Sequence, residues 1–295
     1  MSPSSPILVL DSGLGGLTVV RSLQALMPAE RIVYFGDTAR LPYGSKGAAT
    51  VTGFVRQIIH YLLPCDPKHV VIACNTATAL AMPAIRQAFC DLPVSGVIEP
   101  GAKAAVAAAG AKPIPVFGVI ATEATIRSKA YERAIHRRRH HARMLLRPAP
   151  LLVPIIEEGR TAADPLVRLA LKQYLEPMLR HRLDVLVLGC THYPILKDAV
   201  AQIVGPGVPV IDSAEQCAQD VALRLRARGM CCVPSQASDG LPAGELRTFV
   251  TDDPQRFKRL ASRFLGVEID LPVLVPPDEL YRQQRIEALP VSIPA

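Results

Sequence analysis

Short runs of β-branched and aliphatic residues alternate with longer amphipathic or alanine-rich stretches along most of the chain, and this alternation limits its fold more than any other feature. Ile7–Leu10, Ile32–Phe35, Val70–Ala73, Val94–Val97, Val116–Ile120, Val185–Leu188 and Val208–Ile211 read as strands. Gly16–Met27, Ala48–Leu63, Thr76–Phe89, Gly101–Ala109, Thr122–Ile135, Leu166–Arg180, Ile195–Ile203 and Ala214–Arg228 read as helices. A strand that leads into a helix returns to its sheet as a parallel neighbour, so the order predicts an α/β fold of mainly parallel sheets flanked by helices. With 295 residues, of which 49% are hydrophobic, the chain can bury a large core in one domain or in two lobes.

In parallel sheets, ligand-binding residues gather just past the carboxyl ends of the strands. Every polar motif here has that position. "LDSG" follows the first expected strand, "GDTARLPYGSK" the second, "CNTA" the third, "ATEAT" the fifth and "GCTHYP" the sixth. Two of these segments resemble each other: "VVIACNTATA" (Val70–Ala79) and "VLVLGCTHYP" (Val185–Pro194) each run from an apolar strand through a small residue to a cysteine and then to polar residues that open a helix. This is a weak internal repeat, and two related lobes facing each other would bring both cysteines to one cleft.

The chain has seven cysteines, an odd number without CxxC spacing, and the N-terminal "MSPSSPILVLDSG" has no basic leader and too short an apolar run for a signal segment or a membrane span. The expectation is a cytoplasmic protein with reduced thiols and no structural disulfides. Cys65, Cys90, Cys217, Cys231 and Cys232 read as small core residues or surface bystanders. Cys74 and Cys190 differ, because a helix that begins just after a thiol lowers its pKa from the usual value of about 8.5.

Two thiols that need not bond to each other suit one chemistry in particular. A dithiol oxidoreductase needs them within bonding distance, and a thiol protease has no use for the second. Inversion at carbon needs a base on one face and an acid on the other, and a thiol on each side of a planar intermediate meets that need. Asp11 stands ready to manage the proton of Cys74, and His192, oriented by Glu157 or Glu158, that of Cys190; as simple structural residues, Asp11 would cap a helix and His192 would sit at a helix start. "DSGLGGLTV" is not a dinucleotide fingerprint, since Thr18 stands at its third glycine position, and no GK[ST] follows. Its turn, together with the openings at Asn75–Thr76 and Thr191–His192, offers backbone N–H groups to carboxylates, so the expected ligand is a small polyanion or zwitterion.

The formal net charge is +7, with much of the excess in "ERAIHRRRHHAR" (Glu132–Arg143). A basic run can meet nucleic acid or acidic lipid, but no aromatic residues are interleaved and no nucleic-acid fold signature accompanies it, so a solvated helix end is the simpler reading.

Taken together, "DSGLGGLTV", "YFGDTARLPYGSK", "CNTATA", "TEATIRSKAY", "VPIIE" and "GCTHYP", in that order, resemble the glutamate racemases. The resemblance runs from about residue 7 to about residue 265. It implies two pseudosymmetric α/β lobes with the site in the cleft between them, residues 1–98 and 212–266 forming the first lobe and 99–211 the second; the tail 267–295, proline-rich and with little periodicity, reads from its own composition as a C-terminal extension packed on the surface or partly mobile. It implies a 1,1-proton transfer without cofactor or metal that interconverts L- and D-glutamate and supplies D-glutamate for peptidoglycan. In that scheme Cys74 deprotonates D-glutamate and Cys190 L-glutamate, Asp11 assists Cys74, and His192 with Glu157 assists Cys190. Ser12, Tyr43, Gly44, Asn75, Thr76, Thr122, Thr125 and Thr191, with Asp11 and His192, would hold the substrate. The family often carries cysteine at Ala149 and glycine at Ala121, neither of which is among the proton-transfer residues. Related two-thiol enzymes that act on aspartate, a hydantoin or maleate are the alternative; some members also restrain DNA gyrase, for which the basic run would be the contact. A homodimer is expected.

Overall fold

In the computed structural model, which describes residues 1–232 and 244–281, each of the β-branched runs is a parallel strand. The chain begins β1 (Ile7–Asp11), α1 (Leu17–Leu26), β2 (Ile32–Gly36), α2 (Ala48–Leu62), β3 (His69–Ile72), α3 (Asn75–Ala88), β4 (Val94–Gly96) and α4 (Ile98–Ala108). It continues β5 (Val116–Ala121), α5 (Glu123–Arg127), α6 (Ala130–His136), β6 (Arg143–Pro148), α7 (Leu152–Glu157), α8 (Pro165–Leu179), β7 (Val185–Gly189), α9 (Lys197–Val204), β8 (Val210–Asp212) and α10 (Ser213–Ala227). It then returns to the first sheet with β9 (Leu246–Val250), α11 (Pro254–Leu265) and β10 (Val273–Leu274). One sheet has six strands in the order β10-β9-β2-β1-β3-β4 and the other four in the order β6-β5-β7-β8.

Alternation along β1 divides its surroundings. Ile7 and Val9 face α1 and belong to a core that continues through α10 and α4 into the second sheet, whereas Leu8 and Leu10 face α2 and α3 in a separate cluster. The sheets are thus joined by apolar packing rather than by the covalent crossings alone. Register then aligns the strand ends: Leu10 pairs with both Phe35 and Ile72, and Ala121 pairs with Gly189. Asp11 therefore leaves the first sheet beside Ala73–Cys74, and Thr122 leaves the second beside Cys190.

Several sequence expectations need correction. The helix expected over Thr122–Ile135 is two helices, because Lys129 takes a left-handed conformation (φ 55°) and Ser128 bonds both Thr125 O and the Ala130 N–H around the break. The chain after Cys190 first forms a 3₁₀ turn, Tyr193–Leu196, and only then α9. The tail is not wholly an extension: β10 pairs with β9, and Val275 and Leu280 are buried in the first sheet's core, while residues 282–295 lie outside those described. Strands β6, β9 and β10 and helices α7 and α11 were not anticipated. The basic run follows the simpler reading: Arg137 and Arg138 both meet Glu99, Arg138 also bonds Ala134 O, and Arg139 bonds Gly110 O. All seven cysteines are free. Among the described residues no helix is long and apolar enough to cross a membrane.

Beneath the first sheet, Lys68 Nζ lies 2.5 Å from Glu30 Oε2 with both side chains out of solvent, and the same ammonium donates to Pro3 O. Glu30 Oε1 in turn accepts the Cys232 N–H at 2.8 Å. Taking one ion away from such a pair strands the other in a dry place. Lys68→Met is expected to lower unfolding free energy by about 3–5 kcal/mol in urea titrations, and an unshifted midpoint would contradict that placement.

Candidate active site

The carboxyl ends of β1, β3, β5 and β7 surround a cavity of about 420 Å³. Its wall includes Ser12, Tyr43, Gly44, Cys74, Asn75, Thr76, Thr122, Glu157, Cys190, Thr191 and His192, all named from sequence. Asp11 and Thr125 are not part of the wall. Asp11 lies behind it, and Thr125 supports Thr122 and Thr76 through hydroxyl contacts of 2.9 and 3.3 Å. The wall also holds Leu41, Pro42, Ser45, Glu123, Pro150, Val153 and Pro154. Most of these sit inside motifs quoted above; all but Glu123 are apolar or small and draw no attention when polar groups are sought, and Glu123 has the position of a helix first-turn acid.

Residues from the two sheets interlock around this space. Thr76 meets Thr122 through their hydroxyls at 2.8 Å, Tyr131 donates to Asn75 Oδ1 at 2.7 Å, and Thr18 Oγ1 donates to Thr191 O at 3.2 Å. At Gly15 the loops touch: an added Cβ would lie 2.3 Å from Thr191 Oγ1 and 2.5 Å from His192 Nδ1. Only a residue without a side chain fits there.

The two sulfurs share the cavity but not their surroundings. Cys74 caps α3: its sulfur accepts the Ala77 N–H at 3.5 Å and its thiol donates to Ser12 Oγ at 3.6 Å. The expected lowering of its pKa does not occur. Burial, followed by the nearby charge of Asp11, pushes the Cys74 thiol up to about 12, and the helix N–H and Ser12 offset only part of that. Asp11 makes no hydrogen bond to Cys74. Its Oδ2 accepts the Gly13 N–H at 3.0 Å and its Oδ1 the Thr191 hydroxyl at 3.4 Å, and burial raises its own pKa against the pull of His192.

On the other side, Cys190 Sγ lies 3.9 Å from His192 Nδ1, and His192 Nε2 meets Glu157 Oε1 at 3.0 Å. Glu158 instead pairs with Arg160, which decides between the two glutamates that the sequence offered. Burial alone would push the imidazolium down, but Cys190 and Glu157 outweigh it and hold His192 up at about 10. Burial would likewise raise Glu157, yet the hydrogen bond from His192 leaves its pKa below the usual value. The His192 ring, paired with Glu157, faces the Cys190 sulfur, whereas the Cys74 sulfur meets the Ala77 N–H and the Ser12 hydroxyl. Among the described residues no group of three or more His, Cys, Asp or Glu side chains is arranged to hold a metal ion.

The sequence profile of the Asp/Glu/hydantoin racemase family matches residues 7–221. The chain is 42% identical over 269 residues to a glutamate racemase of Chlorobaculum tepidum, with 91% of this chain and 95% of that one covered. The structure of a glutamate racemase from Francisella tularensis in complex with D-glutamate superposes with a TM-score of 0.83 at 36% identity, covering 94% of this chain and 99% of that one. That of a glutamate racemase from Thermus thermophilus, in complex with β-chloro-D-alanine, gives 0.80 at 40% identity over 95% of this chain and 100% of the other.

Two outcomes follow from the geometry. Gly15→Ala should reduce turnover by about 100-fold or more through misplacing Thr191 and His192, in a protein that still folds; near-normal turnover would contradict the contact. His192 ordinarily titrates near about 6.5, so a folded-state value near 10 gives stability that is complete below the lower pH and lost as pH climbs through the higher. Glu157→Gln should flatten the fall of unfolding free energy across that window, and an unchanged slope would contradict the pairing.

Proposed function

The chain belongs to the Asp/Glu/hydantoin racemase family, and from that premise we propose that this amino-acid racemase interconverts L- and D-glutamate through two thiols, one on each face of Cα, and so supplies D-glutamate for peptidoglycan. The observation that carries the reading is that Cys74 and Cys190 open onto one cavity from the ends of strands in different sheets. A thiolate at Cys190 takes the α-proton of L-glutamate while the Cys74 thiol returns one from the opposite face, and D-glutamate runs the same steps in reverse. His192 with Glu157 manages the proton on the Cys190 side. Ser12, the hydrogen-bond partner of the Cys74 thiol, and Asp11, reaching it by charge alone, serve the other side.

Charge that builds on the substrate carboxylate must be met by donors already aimed at it. The Ser12, Asn75, Thr76, Thr122 and Thr191 side chains around the cavity, with the N–H groups that open α3, form that set. Exclusion of water by the cavity walls strengthens each contact.

The proposal extends to a cytoplasmic homodimer, with residues 1–98 and 212–266 as one lobe, to whose sheet β10 adds a strand, and 99–211 as the other. Contact with DNA gyrase gains no support from the basic run, whose Arg137 and Arg138 are engaged by Glu99.

Racemisation of L-glutamate in D₂O should place deuterium at Cα of the D product, and a product that keeps its protium would exclude exchange through separate acid and base. Cys74→Ala should abolish proton abstraction from D-glutamate and Cys190→Ala that from L-glutamate; full turnover by either variant would sink the two-base scheme, and racemisation of aspartate in preference to glutamate would overturn the substrate.

A further inference from the structure

We propose that Arg263 is a positioning residue for the proton-transfer pair on the Cys190 face, acting through the end of α7; the inference rests on the two-thiol reading above and deepens it. Glu157 is the last residue of α7, a helix of six residues, which is too short to hold itself in place. The carbonyls at such an end have no partners within the helix. Gly159, at φ 95°, turns the chain back there, and its N–H reaches Ile156 O at 3.0 Å.

The Glu158 N–H reaches Pro154 O at 2.9 Å and the Arg160 N–H Ile155 O at 3.4 Å, and one further donor comes from elsewhere in the fold. Arg263 of α11, whose helix packs on α1 beside the first sheet, donates to Ile156 O at 3.0 Å and to Arg160 O at 2.9 Å. One guanidinium thereby grips the chain on both sides of Glu157. Its flat fork can span two carbonyls at once, which a single ammonium does less well. The next residue of α11, Phe264, sets its ring edge-on to His192, with centroids 5.4 Å apart and planes at 86°. Arg256, two turns earlier, adds positive charge near Glu157.

Arg263 does not line the cavity, and nothing in the proton transfer itself requires it. Its effect is on the 3.0 Å contact between Glu157 Oε1 and His192 Nε2. If the end of α7 drifts, the carboxylate leaves the ring, and the Cys190 side loses the cation partner while the Cys74 side is untouched. This asymmetry separates positioning from a general structural role.

The test measures primary isotope effects on kcat/KM with Cα-deuterated L-glutamate and Cα-deuterated D-glutamate in Arg263→Met, Arg263→Lys and Glu157→Gln. Arg263→Met is expected to lower kcat about tenfold with a smaller change in KM, a fraction of what acid–base catalysis supplies. Slowing transfer at Cys190 should raise the isotope effect from L-glutamate and lower that from D-glutamate; Glu157→Gln should show the same split, and Arg263→Lys a weaker one. If Arg263→Met does not fold, the lysine variant carries the comparison. Isotope effects that stay equal to the parent or move together in the arginine variants, while Glu157→Gln shows the split, overturn the role of Arg263 alone. Absence of the split in Glu157→Gln as well overturns the one-thiol-per-face reading and this inference with it.

Discussion

The molecule depends on a contact between two loops, one after β1 and one after β7, that meet at Gly15 with no room for a methyl group. Because β1 pairs directly with β3, the loop contact sets how far the end of β3 stands from the end of β7. The sulfurs of Cys74 and Cys190 follow those two ends. The distance across the cavity is therefore not left to side-chain flexibility. It is fixed by strand register on one side, by the Thr18–Thr191 bond and the Gly15 approach at the seam, and by the shared core under α1, α10 and α4.

Burial that makes such a cavity useful also makes it hostile to charge. The two sides answer this differently. Near Cys190 the charge is paired in advance, with His192 held as a cation by the sulfur and by Glu157. Near Cys74 burial pushes the thiol up to about 12, and among the described residues its hydrogen-bond partners are the neutral Ala77 N–H and Ser12 hydroxyl. Repeat symmetry in the sequence thus conceals a chemical asymmetry in the site.

Much of this was legible beforehand, and what was missed has physical reasons. Buried strands such as Val185–Gly189 announce themselves because both faces are covered, whereas β6, "RMLLRP", is a half-exposed edge with charges at both ends and gives no such run. Helix α11 did carry a signal: Asp253 before Pro254, Phe257, Ala261, Phe264 and Leu265 on one face, and Gly266 at its end. That pattern lies beyond the last β-branched run, where no strand marks it as part of the fold. The pairing of His192 with Glu157 rather than Glu158 depends on which residue α7 presents at its last turn, which spacing alone does not reveal. The pKa of Cys74 departs from the sequence expectation because helix position is visible in a sequence and burial depth is not.

The most direct measurement is a crystal structure of the protein with L-glutamate bound. The account predicts Cα between the two sulfurs, with Cys190 Sγ on the face that carries the α-proton and Cys74 Sγ on the face behind it. Glutamate seated with both sulfurs on the same face, or outside the cavity they share, would contradict it.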